Sequence, residues 1–208
     1  MAQNRLFDGP ESADWTLILA HGAGAPMDHG FMNDMARGLG DRGIRVVRFE
    51  FPYMVRRRAV GGRRPPDRMP KLMAAYRDVV DEQADAGRLA IGGKSMGGRV
   101  ASMLAAEGCP ATALVCLGYP FHPPGKPERL RVDHLRTLRT PTLILQGTRD
   151  PFGQPDEVQD FGLPDTIRFR WLEDGDHSFK PRKASGHTAE GHLATAVDAT
   201  AEFLGELN

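Results

Sequence analysis

The tightest constraint in this chain is a glycine-flanked serine set between a short apolar run and a helix-forming segment. Arg88-Leu89-Ala90-Ile91 leads into Gly92-Gly93-Lys94-Ser95-Met96-Gly97-Gly98, and Arg99-Val100-Ala101-Ser102-Met103-Leu104 follows. The bare pattern G-x-S-x-G is a weak signal, but a strand before it and a helix after it make it a useful one. In that context the serine occupies a sharp strand-to-helix turn with its hydroxyl exposed. Gly93 and Gly97 leave no Cβ where the two backbones crowd, which a strained serine conformation requires.

A turn of this kind belongs to sheets built from alternating strands and helices, and the rest of the sequence supplies them. Apolar, β-prone runs cover 15–20, 44–49, 89–92, 113–117, 142–146 and 167–172. Between them, helical patterns cover 30–41, 70–86, 96–107, a short piece after Pro155, and 188–206. Such alternation means βαβ units and a mainly parallel sheet with helices on both faces, the α/β class. At 208 residues the chain is expected to form one domain over 1–208. The Pro- and charge-rich stretch 119–138 is too short to form a separate lid.

Composition narrows the partners. Lys plus Arg and Asp plus Glu each total 27, so bulk charge argues for neither nucleic acid nor membrane. No apolar run approaches the roughly 20 residues that span a bilayer. The first ten residues lack the apolar core of a signal peptide, and Cys109 and Cys116 read as small core residues. A reduced, cytoplasmic setting is therefore expected. His29, His122, His134, His187 and His192 show no ligand spacing with carboxylates or cysteines, so no metal is expected.

A serine hydroxyl becomes a good nucleophile when a histidine takes its proton and a carboxylate orients that histidine. In this architecture the order along the chain is Ser, then Asp or Glu, then His, each in a loop after a strand. Asp150 follows the 142–146 strand and His177 the 167–172 strand, so both fall at the carboxyl edge of the sheet. Asp174 and Asp176 are rival acids; Asp176 adjoins His177 and would need awkward geometry to reach its ring. Two backbone N–H groups should hold the developing oxyanion. One belongs to Met96, after the serine; the other is assigned to Ala23, with Gly24 as fallback, in His21-Gly22-Ala23-Gly24. His21 is read as pinning that loop.

Together with Arg48-Phe49-Glu50-Phe51-Pro52-Tyr53 and Gln146-Gly147-Thr148-Arg149-Asp150, these motifs resemble the α/β-hydrolases over nearly the whole chain. The combination is similar to a lidless branch that includes a testis-expressed protein and a subunit of the chromatin-associated NSL acetyltransferase complex. A more distant resemblance is to dienelactone hydrolases, which carry cysteine where this chain has Ser95. The resemblance implies cofactor-free hydrolysis of a carboxyl ester or related acyl bond. It also implies a rival, since relatives include assembly proteins: a non-catalytic interaction module on the same fold. A thioesterase or peptidase would use the same three residues.

Two features fall outside the shared pattern. Lys94, beside the serine, either lowers the serine's effective pKa or attracts an anionic substrate, or else pairs with Glu50 at the end of the neighbouring strand. The stretch 56–68 holds six arginines, and Arg63 and Arg64 are its candidate contacts to an anionic acyl substrate. The competing reading is a solvated loop whose arginines pair with surface acids. Oligomeric state leaves no trace in the sequence.

Overall fold

The structure, a computed structural model, describes residues 5–62 and 64–207. Seven strands form one sheet: β1 (Arg5–Asp8), β2 (Trp15–Ala20), β3 (Arg45–Phe49), β4 (Arg88–Lys94), β5 (Ala113–Leu117), β6 (Thr142–Gly147) and β7 (Ile167–Leu172). Their order across the sheet is β1-β3-β2-β4-β5-β6-β7, and every pairing is parallel except that of β1 with β3. The six strands expected from the sequence are all present. The four-residue β1 lies outside that expectation.

The helices are α1 (Gly30–Gly40), α2 (Pro52–Val60), α3 (Met69–Glu82), α4 (Met96–Ala106), α5 (Pro155–Val158) and α6 (Ala189–Glu206). Their ends follow local chemistry. Pro52 and Pro70 sit in the first turns of α2 and α3, where the missing N–H costs no hydrogen bond. The Thr188 hydroxyl accepts the Gly191 N–H at 3.0 Å to cap α6. Helix α2 corrects the sequence reading, because Arg56, Arg57 and Arg58 lie on it rather than in a solvated loop.

Alternation along each buried strand divides the core into two layers. In β2, Ile18 and Ala20 face α2, α3 and α4, while Leu17 and Leu19 face α1 and α6. The first layer is aromatic, with Phe49, Phe51, Tyr53, Tyr76, Tyr119 and Phe121 all fully buried. Each such side chain contributes about 1.5–3 kcal/mol relative to exposure. No described helix is long and apolar enough to cross a membrane.

Register brings the site together. Ala20 pairs with Gly93, Lys94 with Leu117, and Gly147 with Leu172, so successive strands end along one edge. From β2 the chain crosses to β3 on one side, and from β4 to β5 on the other. The reversal leaves a crevice between the carboxyl ends of β2 and β4, the place where open α/β sheets hold ligands.

Candidate active site

Ser95 is the single residue between β4 and α4 and adopts φ 51°, ψ −112°. That left-handed conformation is costly for an L-residue, on the order of 1–3 kcal/mol, and the surroundings enforce it. A Cβ on Gly93 would lie 2.6 Å from the Ala20 carbonyl oxygen and 2.7 Å from the Gly97 carbonyl carbon. One on Gly97 would lie 2.5 Å from the Ala20 oxygen. The Ser95 N–H donates to Leu117 O at 3.0 Å, tying the turn to β5.

His177 Nε2 lies 2.9 Å from Ser95 Oγ, and His177 Nδ1 lies 2.7 Å from Asp150 Oδ2. A carboxylate only accepts, so Nδ1 carries the proton and the Nε2 lone pair faces the serine hydroxyl. Asp150 is fully buried, and three donors compensate for its lost water: His177, Gln146 Nε2 at 2.9 Å and the Phe152 N–H at 2.9 Å. Gln146 is itself locked, accepting from the Tyr119 N–H at 2.7 Å. The Phe152 ring covers the His177 ring with 4.3 Å between centroids.

The loops bearing Asp150 and His177 interlock. Arg149 N–H donates to Gly175 O at 2.9 Å, and Asp174 N–H to Thr148 Oγ1 at 2.7 Å. A Cβ on Gly147 would lie only 2.2 Å from Gly175 O, so glycine permits this contact. The rival acids are occupied elsewhere. Asp174 bonds Arg182, which holds its carboxyl well below the usual range, and also meets Arg149 at 3.0 Å. Asp176 Oδ1 accepts from the backbone of Ser178 and Lys180.

The loop after β2 is clamped from behind. Phe51 N–H donates to His21 Nε2 at 3.1 Å, so the neutral ring carries its proton on Nδ1 and donates to Gly22 O at 2.6 Å. Burial, the largest influence, lowers the His21 pKa to about 4 and keeps it neutral. The Tyr53 hydroxyl donates to Ala23 O at 2.9 Å, and Arg57 Nη1 to Gly24 O at 3.1 Å. The described residues contain no cis peptide. In a trans peptide the N–H points opposite to the preceding carbonyl. The N–H groups of Ala23, Gly24 and Ala25 therefore point away from these anchors, and all three residues line the main cavity.

A family model described as an alpha/beta hydrolase domain matches residues 13–205. The chain belongs to that family. Solved structures agree in fold. A lidless α/β serine hydrolase from Xanthomonas campestris is 22% identical over 97% of this chain and 88% of its own, with TM-score 0.71. Est1E from Butyrivibrio proteoclasticus, in its ferulic acid complex, is 17% identical over 98% and 94%, with TM-score 0.71. The esterase Pf2001 from Pyrococcus furiosus is 18% identical over 99% and 92%, with TM-score 0.71.

In this hydrolase domain a cavity of about 350 Å³ opens onto Ser95 and His177. Ala25, Phe31, Met32 and Phe152 give it an apolar wall, and Lys94 adds one amine. The expected Lys94–Glu50 pair is absent. Glu50 instead accepts from Arg58 Nε at 2.6 Å, while Lys94 Nζ donates to the His177 carbonyl at 2.5 Å. Strand order explains the difference, since β2 lies between β4 and the β3 strand that Glu50 follows. Arg58 also bonds Asp28, and Arg56 bonds Asp67 at 2.7 Å. Arg64 is exposed and does not line the cavity, and Arg63 lies outside the described residues. Among the described residues no group of three His, Cys, Asp or Glu is arranged to hold a metal ion.

Gln146, Tyr53 and Phe152 were absent from the sequence-derived site. Tyr53 and Gln146 stood inside quoted motifs, but nothing local showed which loops they would hold.

Proposed function

We propose that this protein is a serine hydrolase that cleaves a carboxyl ester or related acyl bond through an acyl-enzyme. The observation that carries the reading is the hydrogen-bonded chain Ser95–His177–Asp150 facing an apolar cavity. Ser95 Oγ attacks the acyl carbon while its proton passes to His177 Nε2, and Asp150 steadies the resulting imidazolium. The carbonyl oxygen becomes an oxyanion, received by the N–H groups of Met96 and Ala23. Met96 opens α4, so its N–H has no intrahelical acceptor, and the anchored Gly22 carbonyl turns the Ala23 N–H away from α2. The tetrahedral intermediate collapses as His177 returns the proton to the leaving oxygen. Water then repeats the sequence on the acyl-enzyme, giving the acid and restoring Ser95.

The cavity suits a short, uncharged acyl group. Of the residues expected to meet an anion and described in the structure, Lys94 alone is in the lining with a charge, and its ammonium already serves the His177 carbonyl. That Est1E and Pf2001, both similar in fold, are esterases supports an ester substrate over a peptide. The narrower kinship with the testis-expressed and NSL-subunit branch, a cytoplasmic setting and a cofactor-free reaction belong to the same proposal.

A fluorophosphonate probe tests it. Wild type should be labelled and Ser95→Ala should not, with hydrolysis of p-nitrophenyl esters declining as the acyl chain outgrows the cavity. An unlabelled wild type would favour the interaction module instead.

A further inference from the structure

We propose that Lys94 is a positioning residue whose ammonium holds the His177 backbone against the serine turn, so that its charge state sets the alkaline limit of activity. This inference rests on the hydrolase reading above and adds a residue to it.

The geometry places one side chain between the two halves of the relay. Lys94 is the last residue of β4 and is bonded covalently to Ser95, while its Nζ donates to the carbonyl of His177 itself. His177 lies five residues beyond the end of β7, in a segment that its own short-range bonds, the Asp150 loop and His192 of α6 hold on other sides. Phe179 N–H donates to Asp176 O at 2.9 Å and Asp176 N–H to Lys180 O at 3.0 Å. The Lys94 bond ties this segment directly to the residue before the nucleophile.

A second position makes room for that bond. Gly118, at φ 68°, follows β5, and a Cβ there would sit 2.8 Å from Lys94 Nζ and 3.0 Å from His177 O. Any larger residue would wedge the amine and the carbonyl apart. The amine is also flanked by the Phe31 and Phe179 rings, 5.6 and 5.8 Å from their centroids. Both distances are within cation–π range.

Lys94 titrates within reach of an assay. No described carboxylate lies within ion-pairing distance of it, and burial is the largest influence on its pKa. The fields of Asp150 and Asp176 oppose that burial only in part, and the pKa falls to about 8. His177 and His29 are the other titratable groups at this cavity. Below about pH 8 the ammonium donates a charge-assisted bond to His177 O; above it the neutral amine is a weaker donor and loses its cation–π contacts. Stability moves the other way. A lysine with a lower pKa folded than unfolded binds fewer protons in the folded state between the two values. Its contribution to stability therefore rises with pH above about 8, just as positioning fails.

The experiment compares pH profiles of background-corrected p-nitrophenyl acetate hydrolysis for wild type, Lys94→Met and Lys94→Arg, with circular dichroism to check folding. Wild type should lose kcat with a midpoint near pH 8 while remaining folded. Lys94→Met should show kcat lowered about tenfold, an unchanged KM and no such limb. Arginine stays charged, so Lys94→Arg should keep much of the rate and move the limb to higher pH. A wild-type profile without that limb, or the same limb and rate in either folded variant, overturns the proposal. Should Lys94→Met not fold, the limb of Lys94→Arg decides alone. Fluorophosphonate labelling that is lost in Ser95→Ala runs alongside. If that control fails, the hydrolase reading falls and takes this inference with it; if it holds while the Lys94 profiles match wild type, the positioning role alone is rejected.

Discussion

The serine turn and the loop after β2 flank the same crevice, yet they are held in shape by opposite means. At the turn, absent side chains do the work: Gly93 and Gly97 let the β4, α4 and β2 backbones approach, and Ser95 is forced to φ 51°. At the loop, side chains present on a distant segment do it. Tyr53 and Arg57 reach back about thirty residues from α2 to hold the carbonyls of Ala23 and Gly24. Arg58 adds a bond to Asp28 and neutralises the buried Glu50. Backbone exclusion has no partial form, whereas a clamp made of several hydrogen bonds loosens in steps.

Substitutions on the two sides should show that contrast. The largest effect is expected from Gly97→Ala, whose Cβ would sit 2.5 Å from a backbone oxygen that cannot retreat. On the order of 4 kcal/mol or more should be lost, seen as failure to fold or a large drop in the urea midpoint. A second test uses pH. His21 has a pKa of about 4 in the folded protein, below that of an unfolded histidine, so the unfolded state binds protons more readily. Its contribution is fully present above about pH 6.5 and is lost as pH falls toward 4, up to about 3 kcal/mol. Urea unfolding across that window should show the decline, and His21→Gln should flatten it.

Smaller changes should follow on the clamp itself. Tyr53→Phe removes the donor to Ala23 O and should cost about 1 kcal/mol of stability. Its kcat should fall roughly tenfold with little change in KM, because the loop donor is displaced only in part. Arg57→Ala, at an exposed side chain, should cost less than about 0.5 kcal/mol by thermal unfolding. Equal losses at Gly97 and Arg57 would erase the distinction between the two sides.

What the sequence disclosed follows the same division. The turn was legible because glycine spacing, strand and helix are all local to residues 88–104. Asp150 and His177 were legible through their places after strands, without any knowledge of the contact between them. The clamp was not, because nothing near Tyr53 or Arg57 names the carbonyls they meet. Helix α2 was read as an arginine-rich loop, although Pro52 at its start and Gly61-Gly62 after its end are ordinary helix boundary signals. Strand β1 escaped because four residues offer too little alternation. Its place is fixed through space, by Asp8 meeting the buried Arg48 at 2.8 Å. Glu50 was given the wrong partner for a similar reason: the sequence put Lys94 and Glu50 at the same edge, but only the strand order shows that β2 lies between their strands.

The central claim is that Ser95, activated by His177, takes up the acyl group. Rapid acid quenching of a p-nitrophenyl ester reaction, followed by peptide mass spectrometry, tests it most directly. The account predicts an acyl mass on the peptide containing Ser95 in wild type and none in His177→Ala. Continued turnover with the adduct on another residue, or an undiminished Ser95 adduct without His177, would contradict it.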